Sequence, residues 1–231
     1  MTRICVSIAE NSLESLANSV QNALSATADF LEIRFDYLDP SIILNSLKIL
    51  ENIKNRCIFT IRSRSESGNF QESEDQRKEY LKMLSSSRPM LLDLEFNSLS
   101  NDIQLFDFVR SNNCNILVSW HDFDKTPDRS FLIEQINKMK KFSNNVKLVT
   151  TALEFKHTLQ ILDLYDDFPD LNLVSFAMGE LGILSRILCP IFGKNNFTYA
   201  SLGRPVAPGQ LSIQEMRKIY EKLIKFQRNK E

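Results

Sequence analysis

The sequence predicts a single domain, over residues 1–231, that folds as a (β/α)8 TIM barrel. Eight short runs rich in apolar, β-branched and aromatic residues alternate with longer amphipathic segments along the whole chain. Division of the 231 residues by eight gives about 29 residues per unit, close to what a barrel of roughly 250 residues requires. A doubly wound open sheet alternates similarly but usually has a glycine-rich first turn. This chain has Ala9, Glu10 and Asn11 there and only six glycines in all.

The apolar runs predict eight strands, at residues 3–8, 30–35, 57–61, 90–94, 116–120, 146–151, 173–176 and 197–200. Helical spacing of apolar residues is clearest in six segments, at residues 12–23, 42–52, 71–84, 99–109, 129–141 and 213–226. The last segment has one apolar face, formed by Ile213, Met216, Ile219, Tyr220 and Leu223. Such a face packs on a core or at a subunit interface, and the core is the favoured use.

The composition is that of an ordinary globular protein, with 43% hydrophobic and 25% charged residues. Lys and Arg number 28 against 29 Asp and Glu, so the net charge is −1. This balance gives no electrostatic case for binding nucleic acid or an anionic membrane. No segment approaches the roughly 20 apolar residues of a membrane span.

The four cysteines lie far apart, at Cys5, Cys57, Cys114 and Cys189. They form no C-x-x-C pair and no cluster with histidine, so neither a metal site nor a disulfide framework is indicated. We expect reduced, mostly buried thiols. The first residues, MTRICVSIAENS, contain no sustained apolar stretch of a signal peptide, and we therefore expect a cytoplasmic protein.

Charged side chains share one face of the second predicted strand. Glu32, Arg34 and Asp36 alternate with apolar residues, which must face the surrounding helices. The charged face therefore points into the barrel. The same alternation places titratable groups inside three further strands, at Arg62, His121 and Lys147. Any one of them alone is more often a solvated rim residue, but the loops after barrel strands build active sites, and the set predicts one.

Lys147 lies near the start of its strand, between Val146 and Leu148. Burial disfavours the charged ammonium, and nearby Arg34 or Arg62 would act in the same direction. We therefore expect an unpaired, neutral amine, the form that attacks a carbonyl and gives a Schiff base. The alternative is a lysine whose ammonium reaches solvent at the barrel floor.

The chain has two histidines, and only one is a candidate for catalysis. His121 ends the fifth predicted strand, where an imidazole suits proton transfer. His157 follows Lys156 in a helix-like segment, and we interpret it as a surface or capping residue.

Six ordered motifs resemble the type I 3-dehydroquinate dehydratases, the Schiff-base dehydratases of the shikimate pathway. They are EIRFD at 32–36, TIRSRSESG at 60–68, SWHDFDKTP at 119–127, VKLVTTA at 146–152, MGELGILSR at 178–186 and APGQ at 207–210. Any one motif is weak, but six in order are specific. The resemblance implies a (β/α)8 barrel that uses no metal and no nucleotide cofactor.

The resemblance also implies roles for individual residues. Lys147 would condense with the C3 ketone of 3-dehydroquinate, and His121 would remove the C2 proton and then protonate the departing C1 hydroxyl in a syn elimination. Glu66 would orient His121. Arg186 would bind the substrate carboxylate. The remaining substrate-binding residues would be Glu32, Arg34, Arg62, Met178 and Gln210.

The APGQ segment resembles a lid that closes over the substrate and excludes water. The residue before it is commonly a small hydroxyl residue in the family, whereas this chain has Val206. The lost hydrogen bond would then be absent or come from Ser201 or Gln210. Members of the family are often dimers, so the sequence leaves a homodimer open.

Two other functions compete with this one. A class I aldolase would use the same lysine on a sugar phosphate and would need a phosphate cradle, which Gly179 and Gly182 could begin. An inactive barrel serving as a scaffold would have no need of the four residues Lys147, His121, Glu66 and Arg186.

Overall fold

Eight parallel strands form one sheet that curls into a barrel in the computed structural model, which describes residues 2–193 and 197–228. The strands are β1 (Arg3–Ile8), β2 (Phe30–Arg34), β3 (Cys57–Thr60), β4 (Leu91–Glu95), β5 (Ile116–His121), β6 (Asn145–Thr151), β7 (Asn172–Met178) and β8 (Phe197–Ala200). Each strand from β1 to β7 pairs with the next, and β8 pairs with β1. The described residues form no ladder between β7 and β8. The predicted (β/α)8 barrel is therefore confirmed, and it is nearly closed, with its gap between β7 and β8.

Helices surround the strands. Within the described residues they are α1 (Leu13–Ser25), α2 (Pro40–Leu50), α3 (Glu74–Ser86), α4 (Phe96–Asn101), α5 (Ile103–Ser111), α6 (Arg129–Met139), α7 (Phe155–Asp167), α8 (Ile183–Phe192) and α9 (Ile213–Arg228). The prediction of one helix over 99–109 is wrong in one respect, because this segment belongs to two helices, α4 and α5, that meet at Asp102. The carboxylate of Asp102 accepts a hydrogen bond from the Leu105 amide and starts α5 there.

Side chains at the ends of the strand–helix loops fix where the helices begin. Ser12, Asp39 and Asp128 accept hydrogen bonds from amides in the first turns of α1, α2 and α6. Ser73 and Gln76 form a reciprocal capping box at the start of α3. His157 serves α7 in a similar way, since its Nδ1 accepts from the Leu153 amide at 3.1 Å. The interpretation of His157 as a capping residue is thus confirmed.

The apolar core lies between the outer faces of the strands and the inner faces of the helices. Leu31 and Ile33 of β2 are buried on the helix side, as the alternation predicts. On α9, the side chains of Ile213, Met216 and Tyr220 are also buried, which confirms that this face packs on the core. The four cysteines are buried and free, in agreement with the prediction.

One side chain assigned to the barrel interior lies elsewhere. The strand predicted over 30–35 ends at Arg34, and Asp36 follows in a 3₁₀ turn, Phe35–Tyr37. Asp36 is buried and forms an ion pair with Arg34 at 2.8 Å, and its carboxylate accepts hydrogen bonds from the Arg62 and Asn69 amides. Its role is to anchor loops rather than to line the interior, because the turn breaks the strand alternation.

None of the described helices is both long enough and apolar enough to cross a membrane.

Candidate active site

A cavity of about 330 Å³ opens at the carboxyl ends of the strands, a size suited to a small molecule. All nine residues that the sequence predicts for the site line it: Glu32, Arg34, Arg62, Glu66, His121, Lys147, Met178, Arg186 and Gln210. They come from different strands and loops, so it is the closure of the barrel that brings them together. Their catalytic and binding roles remain predictions.

Lys147 is buried in β6, with 5% of its surface exposed. Its Nζ lies 3.1 Å from Glu32 Oε1 and 3.5 Å from Asp93 Oδ2. The prediction of an unpaired amine is therefore wrong, because two carboxylates supply the countercharge that a buried ammonium requires. Of the expected neighbours, Arg34 pairs with Asp36, and Arg62 shares Asp93 with Lys147. The alternative of an ammonium in solvent does not hold either.

The two carboxylates beside Lys147 are held in the ionised form. Burial alone would raise the pKa of Glu32, but Lys147, Arg34 and Arg62 together lower it to about 2. Burial likewise opposes the ionisation of Asp93, and Arg62 and Lys147 outweigh it, so its pKa is also lowered. The barrel interior thus contains matched charges of both signs.

Arg62 connects this cluster to the next strands. Its guanidinium lies 2.8 Å from Asp93, 3.2 Å from Glu66 and 3.4 Å from Glu95, and it donates to the Ser119 hydroxyl at 2.8 Å. The five groups are buried. Because a planar guanidinium fixes the direction of each contact, Arg62 sets the positions of the acidic side chains around it.

His121 ends β5 and contacts Glu66, which lies in the 3₁₀ turn after β3. The His121 Nδ1 and Glu66 Oε2 atoms are 2.8 Å apart. Burial, together with Arg62 and Lys147, holds the pKa of His121 well below 6.5. Burial also raises the pKa of Glu66 to about 7 despite the opposing effect of Arg62. The imidazole is therefore neutral at neutral pH, with one nitrogen fixed by Glu66 and the other available for a proton.

Arg186 presents an incompletely satisfied cation to the cavity. It is 1% exposed, and its Nε has no hydrogen-bond partner among the described residues. The guanidinium lies 4.1 Å from the ring centroid of Phe176, and one terminal nitrogen is 3.4 Å from the Pro208 carbonyl oxygen. Burial lowers its pKa to about 10, so it is still charged. A buried cation without a carboxylate favours an anionic ligand.

The loop after β8 covers the cavity through Val206, Ala207, Pro208 and Gln210. Gly209 has a φ of +72°, and a Cβ there would lie 2.5 Å from the Gly179 carbonyl oxygen, so only glycine permits this close contact. The amide of Val206 donates to Gln210 Oε1 at 2.8 Å. Gln210 remains a candidate for the hydrogen bond that Val206 cannot make. Ser201 is not, because it lies outside the lining and donates to the Leu211 carbonyl.

Sequence reasoning missed several residues of the site. Asp93 and Glu95 alternate with Leu92 and Leu94 in β4, and this is the same signal that found Glu32 and Arg34 in β2. They could therefore have been predicted. Tyr199 also lines the cavity, but a tyrosine in an apolar run is indistinguishable from an ordinary core residue.

The fold and the site together define the class: a (β/α)8-barrel enzyme with a charged, enclosed site at the carboxyl ends of its strands. Comparison with known proteins gives the particular family. The profile described as type I 3-dehydroquinase matches residues 4–226. The chain belongs to the type I 3-dehydroquinase family, whose reaction is that of a hydro-lyase, 3-dehydroquinate dehydratase. The resemblance found in the six motifs is thereby confirmed.

Two curated relatives show how far the similarity extends. The chain is 33% identical over 223 residues to the 3-dehydroquinate dehydratase of Methanothermobacter thermautotrophicus. The aligned region covers 96% of this chain and 98% of that protein. It is 30% identical to that of Pyrococcus abyssi, with 89% of this chain and 93% of that protein covered.

Solved structures share the fold at lower sequence identity. The 3-dehydroquinate dehydratase of Geobacillus kaustophilus superposes with a TM-score of 0.87 at 23% identity, covering 98% of this chain and 92% of that one. The type I 3-dehydroquinate dehydratase of Clostridium difficile, described with covalently modified comenic acid, superposes with a TM-score of 0.83 at 23% identity. The superposition covers 97% of this chain and 93% of that one.

Proposed function

We propose that this chain converts 3-dehydroquinate to 3-dehydroshikimate through a Schiff base on Lys147, by a syn elimination of water. The observation that carries the proposal is that one cavity is lined by an amine, a neutral imidazole and a cation, at Lys147, His121 and Arg186, and that the described residues give this cation no carboxylate partner. The type I enzyme of Clostridium difficile is described with covalently modified comenic acid, which supports covalent chemistry in that enzyme.

The proposed reaction begins with covalent capture of the substrate ketone by Lys147. The Lys147 nitrogen attacks C3 of the ketone as a neutral amine. The proton given up by its ammonium, and a second proton lost from nitrogen after the attack, are transferred to the former carbonyl oxygen. This oxygen leaves the carbinolamine as water and a protonated imine remains. His121 removes a proton from C2, and the electron pair moves into the imine to give an enamine. The enamine expels the C1 hydroxyl, which takes the proton from His121 and leaves as water. Hydrolysis of the imine then releases the product and the amine.

The His121–Glu66 pair supports both halves of the elimination. A neutral imidazole can accept the C2 proton, and the Glu66 contact at 2.8 Å fixes the ring while it carries the charge. Phe123 stacks on His121 with ring centroids 5.7 Å apart and limits its rotation. One group can thus serve as base and then as acid on the same face of the substrate.

The remaining lining residues would bind the substrate. Arg186 would pair bidentately with the carboxylate, because its buried guanidinium lacks an anionic partner among the described residues. The ring hydroxyls would contact Glu32, Arg34, Arg62 and Gln210, while Met178 would give apolar cover. The loop after β8 would exclude water while the imine exists.

A homodimer is a further part of the proposal. Five large apolar side chains are exposed near the start of α7 and α8, with exposed fractions from 38% to 60%: Leu153, Phe155, Leu159, Leu181 and Leu184. An apolar face of this kind is typical of an interface. Light scattering should give a dimer mass for the parent protein and a monomer mass for Phe155→Glu. The control, Leu44→Glu at a 61% exposed position on α2, should stay dimeric. A monomeric parent protein would contradict the dimer.

We place the reaction in the shikimate pathway and in the cytoplasm, where the four free thiols would remain reduced.

An aldolase acting on a sugar phosphate is less well supported. The backbone amides of Gly179 and Gly182 already donate to the carbonyls of Pro208 and Gly179, so they are not free to bind a phosphate. The assay that distinguishes the two functions offers each substrate in turn. 3-Dehydroquinate should produce the absorbance of a conjugated enone, and sugar phosphates should not be consumed. Consumption of sugar phosphates alone would overturn the proposed function.

A catalytically inactive scaffold is the other alternative. It predicts a folded protein without turnover, whereas the proposed mechanism predicts turnover that Lys147→Ala lowers by several orders of magnitude. His121→Ala should still form the imine and then stall, since proton transfer is a separate task. Near-normal turnover of His121→Ala would require a different base, such as Glu66.

A further inference from the structure

The aromatic ring of Tyr199 lies against the reactive amine, and the mechanism above gives it no role. Tyr199 is in β8, in register with Cys5 of β1, is 3% exposed and lines the cavity. The Nζ atom of Lys147 is 4.2 Å from the centroid of its ring. This is well inside the roughly 6 Å within which a cation is attracted to the face of an aromatic ring.

The hydroxyl of Tyr199 does not explain why the ring is there. A buried tyrosine hydroxyl usually finds a hydrogen-bond partner, but this one has none among the described residues. The ring is held by aromatic neighbours instead, with centroids 6.1 Å from Phe176 and 5.4 Å from Phe197. The part of the side chain that contacts the amine is therefore the ring face alone.

The ion pairs of Lys147 cannot hold the amine throughout the reaction. Glu32 lines the cavity and is itself expected to bind substrate hydroxyls, so its contact with Nζ competes with substrate. Asp93 lies farther away, at 3.5 Å, and is shared with Arg62 and Ser119. The ring face competes with neither the substrate nor the new covalent bond, and it favours the positive charge that the ammonium and the protonated imine both carry.

We propose that Tyr199 is a positioning residue that holds the Lys147 nitrogen in place for Schiff-base formation, an inference that rests on the proposed function. The test compares two substitutions. Tyr199→Phe keeps the ring and removes the hydroxyl; Tyr199→Leu removes the ring face. For each, kcat, KM and the rate of borohydride trapping with 3-dehydroquinate are measured, together with urea unfolding.

Tyr199→Phe should keep kcat and the trapping rate within about twofold and raise the urea midpoint, because it removes a buried hydroxyl without a partner. Tyr199→Leu should lower both kcat and the trapping rate by roughly tenfold, with KM little changed, because the nitrogen is less often in the attacking position. A merely structural role would lower the urea midpoint but leave the trapping rate of the folded protein unchanged.

Two results would overturn the inference: trapping by Tyr199→Leu at the rate of the parent protein, or an equal loss in Tyr199→Phe, which would assign the effect to the hydroxyl. If Tyr199→Leu does not fold, Tyr199→Met, which fills more of the space, takes its place with the same expected results. Absence of trapping in the parent protein would instead refute the proposed Schiff base.

Discussion

At the residue scale, the burial of Arg186 destabilises the folded protein and favours the binding of an anion. Its guanidinium is buried against Phe176, and the described part of the chain offers it no carboxylate. Isolated buried charge destabilises a folded protein. The same missing partner is what a substrate carboxylate would provide.

Replacement of Arg186 should therefore change stability and binding in opposite directions. Arg186→Met is expected to raise the free energy of unfolding by about 1–3 kcal/mol, because it removes an unpaired buried charge. It should raise KM by about 100-fold, since a charge-assisted bidentate pair is lost. Urea unfolding and steady-state kinetics measure the two effects. Arg129→Met, which removes an exposed pair with Asp167, serves as the control and should change neither. An unchanged KM for Arg186→Met would contradict the role in binding.

Glu66 and His121 should affect stability with opposite pH dependence. The folded protein holds Glu66 protonated up to about pH 7, whereas the unfolded chain ionises it near 4.5, so its contribution grows as the pH falls from 7 to 4.5. His121 stays neutral in the folded protein while the unfolded chain protonates it near 6.5, so its contribution falls as the pH falls below 6.5. In the parent protein the two effects oppose each other.

Single substitutions should separate these contributions. Relative to the parent protein, Glu66→Gln is expected to lose stability as the pH falls from 7 to 4.5. His121→Asn is expected to gain stability relative to the parent as the pH falls below 6.5. Urea unfolding over this pH range measures both differences. If the two differences have the same sign, the assigned protonation states are wrong.

At the scale of elements, one arginine joins α3 to β3 and β4. Arg77 is 1% exposed and donates to the Ile61 carbonyl at 2.8 Å and to the Ser98 hydroxyl at 2.6 Å. It pairs with Glu74 and lies 3.6 Å from Glu95, the carboxylate that also accepts from the Ser63 amide. The helix is thus tied to the strand ends that position Arg62 and Glu66.

Loss of the Arg77 guanidinium should destabilise the folded protein. Arg77→Met is expected to lower the free energy of unfolding by about 3–5 kcal/mol, because it leaves Glu95 with one cation fewer and the Ile61 carbonyl without a partner. Lys82→Met is the matched control on the same helix, where Lys82 pairs with Glu79 in an exposed position, and it should cost under about 1 kcal/mol. Chemical denaturation of both variants makes the comparison. Equal costs would show that the buried network does not stabilise the barrel.

At the scale of the whole molecule, the strands were predictable from the sequence, and two of the helices were less so. Apolar runs identify each strand of the barrel, because a strand covered by helices on its outer side needs an apolar face there. The helices α7 and α8 were not among the clearest predictions. The N-cap residues of the two helices, Glu154 and Gly182, make no side-chain cap hydrogen bond, and α8 contains Pro190, which weakens the helical signal.

The residues of the site were predictable wherever alternation or a motif marked them. Charge alternation in β2 led to Glu32 and Arg34, and the motifs led to residues as distant in sequence as Glu66 and Arg186. The pairing of Lys147 was not foreseen, because its two partners, Glu32 and Asp93, lie on other strands and are its neighbours only in space. The protonation of a buried group is decided by such neighbours, which only the closed barrel brings together.

The most direct test of the proposed mechanism is the mass of the protein after borohydride reduction in the presence of 3-dehydroquinate. We expect an added mass equal to the reduced ligand adduct, located by peptide mapping on the peptide that contains Lys147, and none in Lys147→Met. Absence of any adduct, or an adduct on another lysine in a protein that turns over the substrate, would contradict a Schiff base at Lys147.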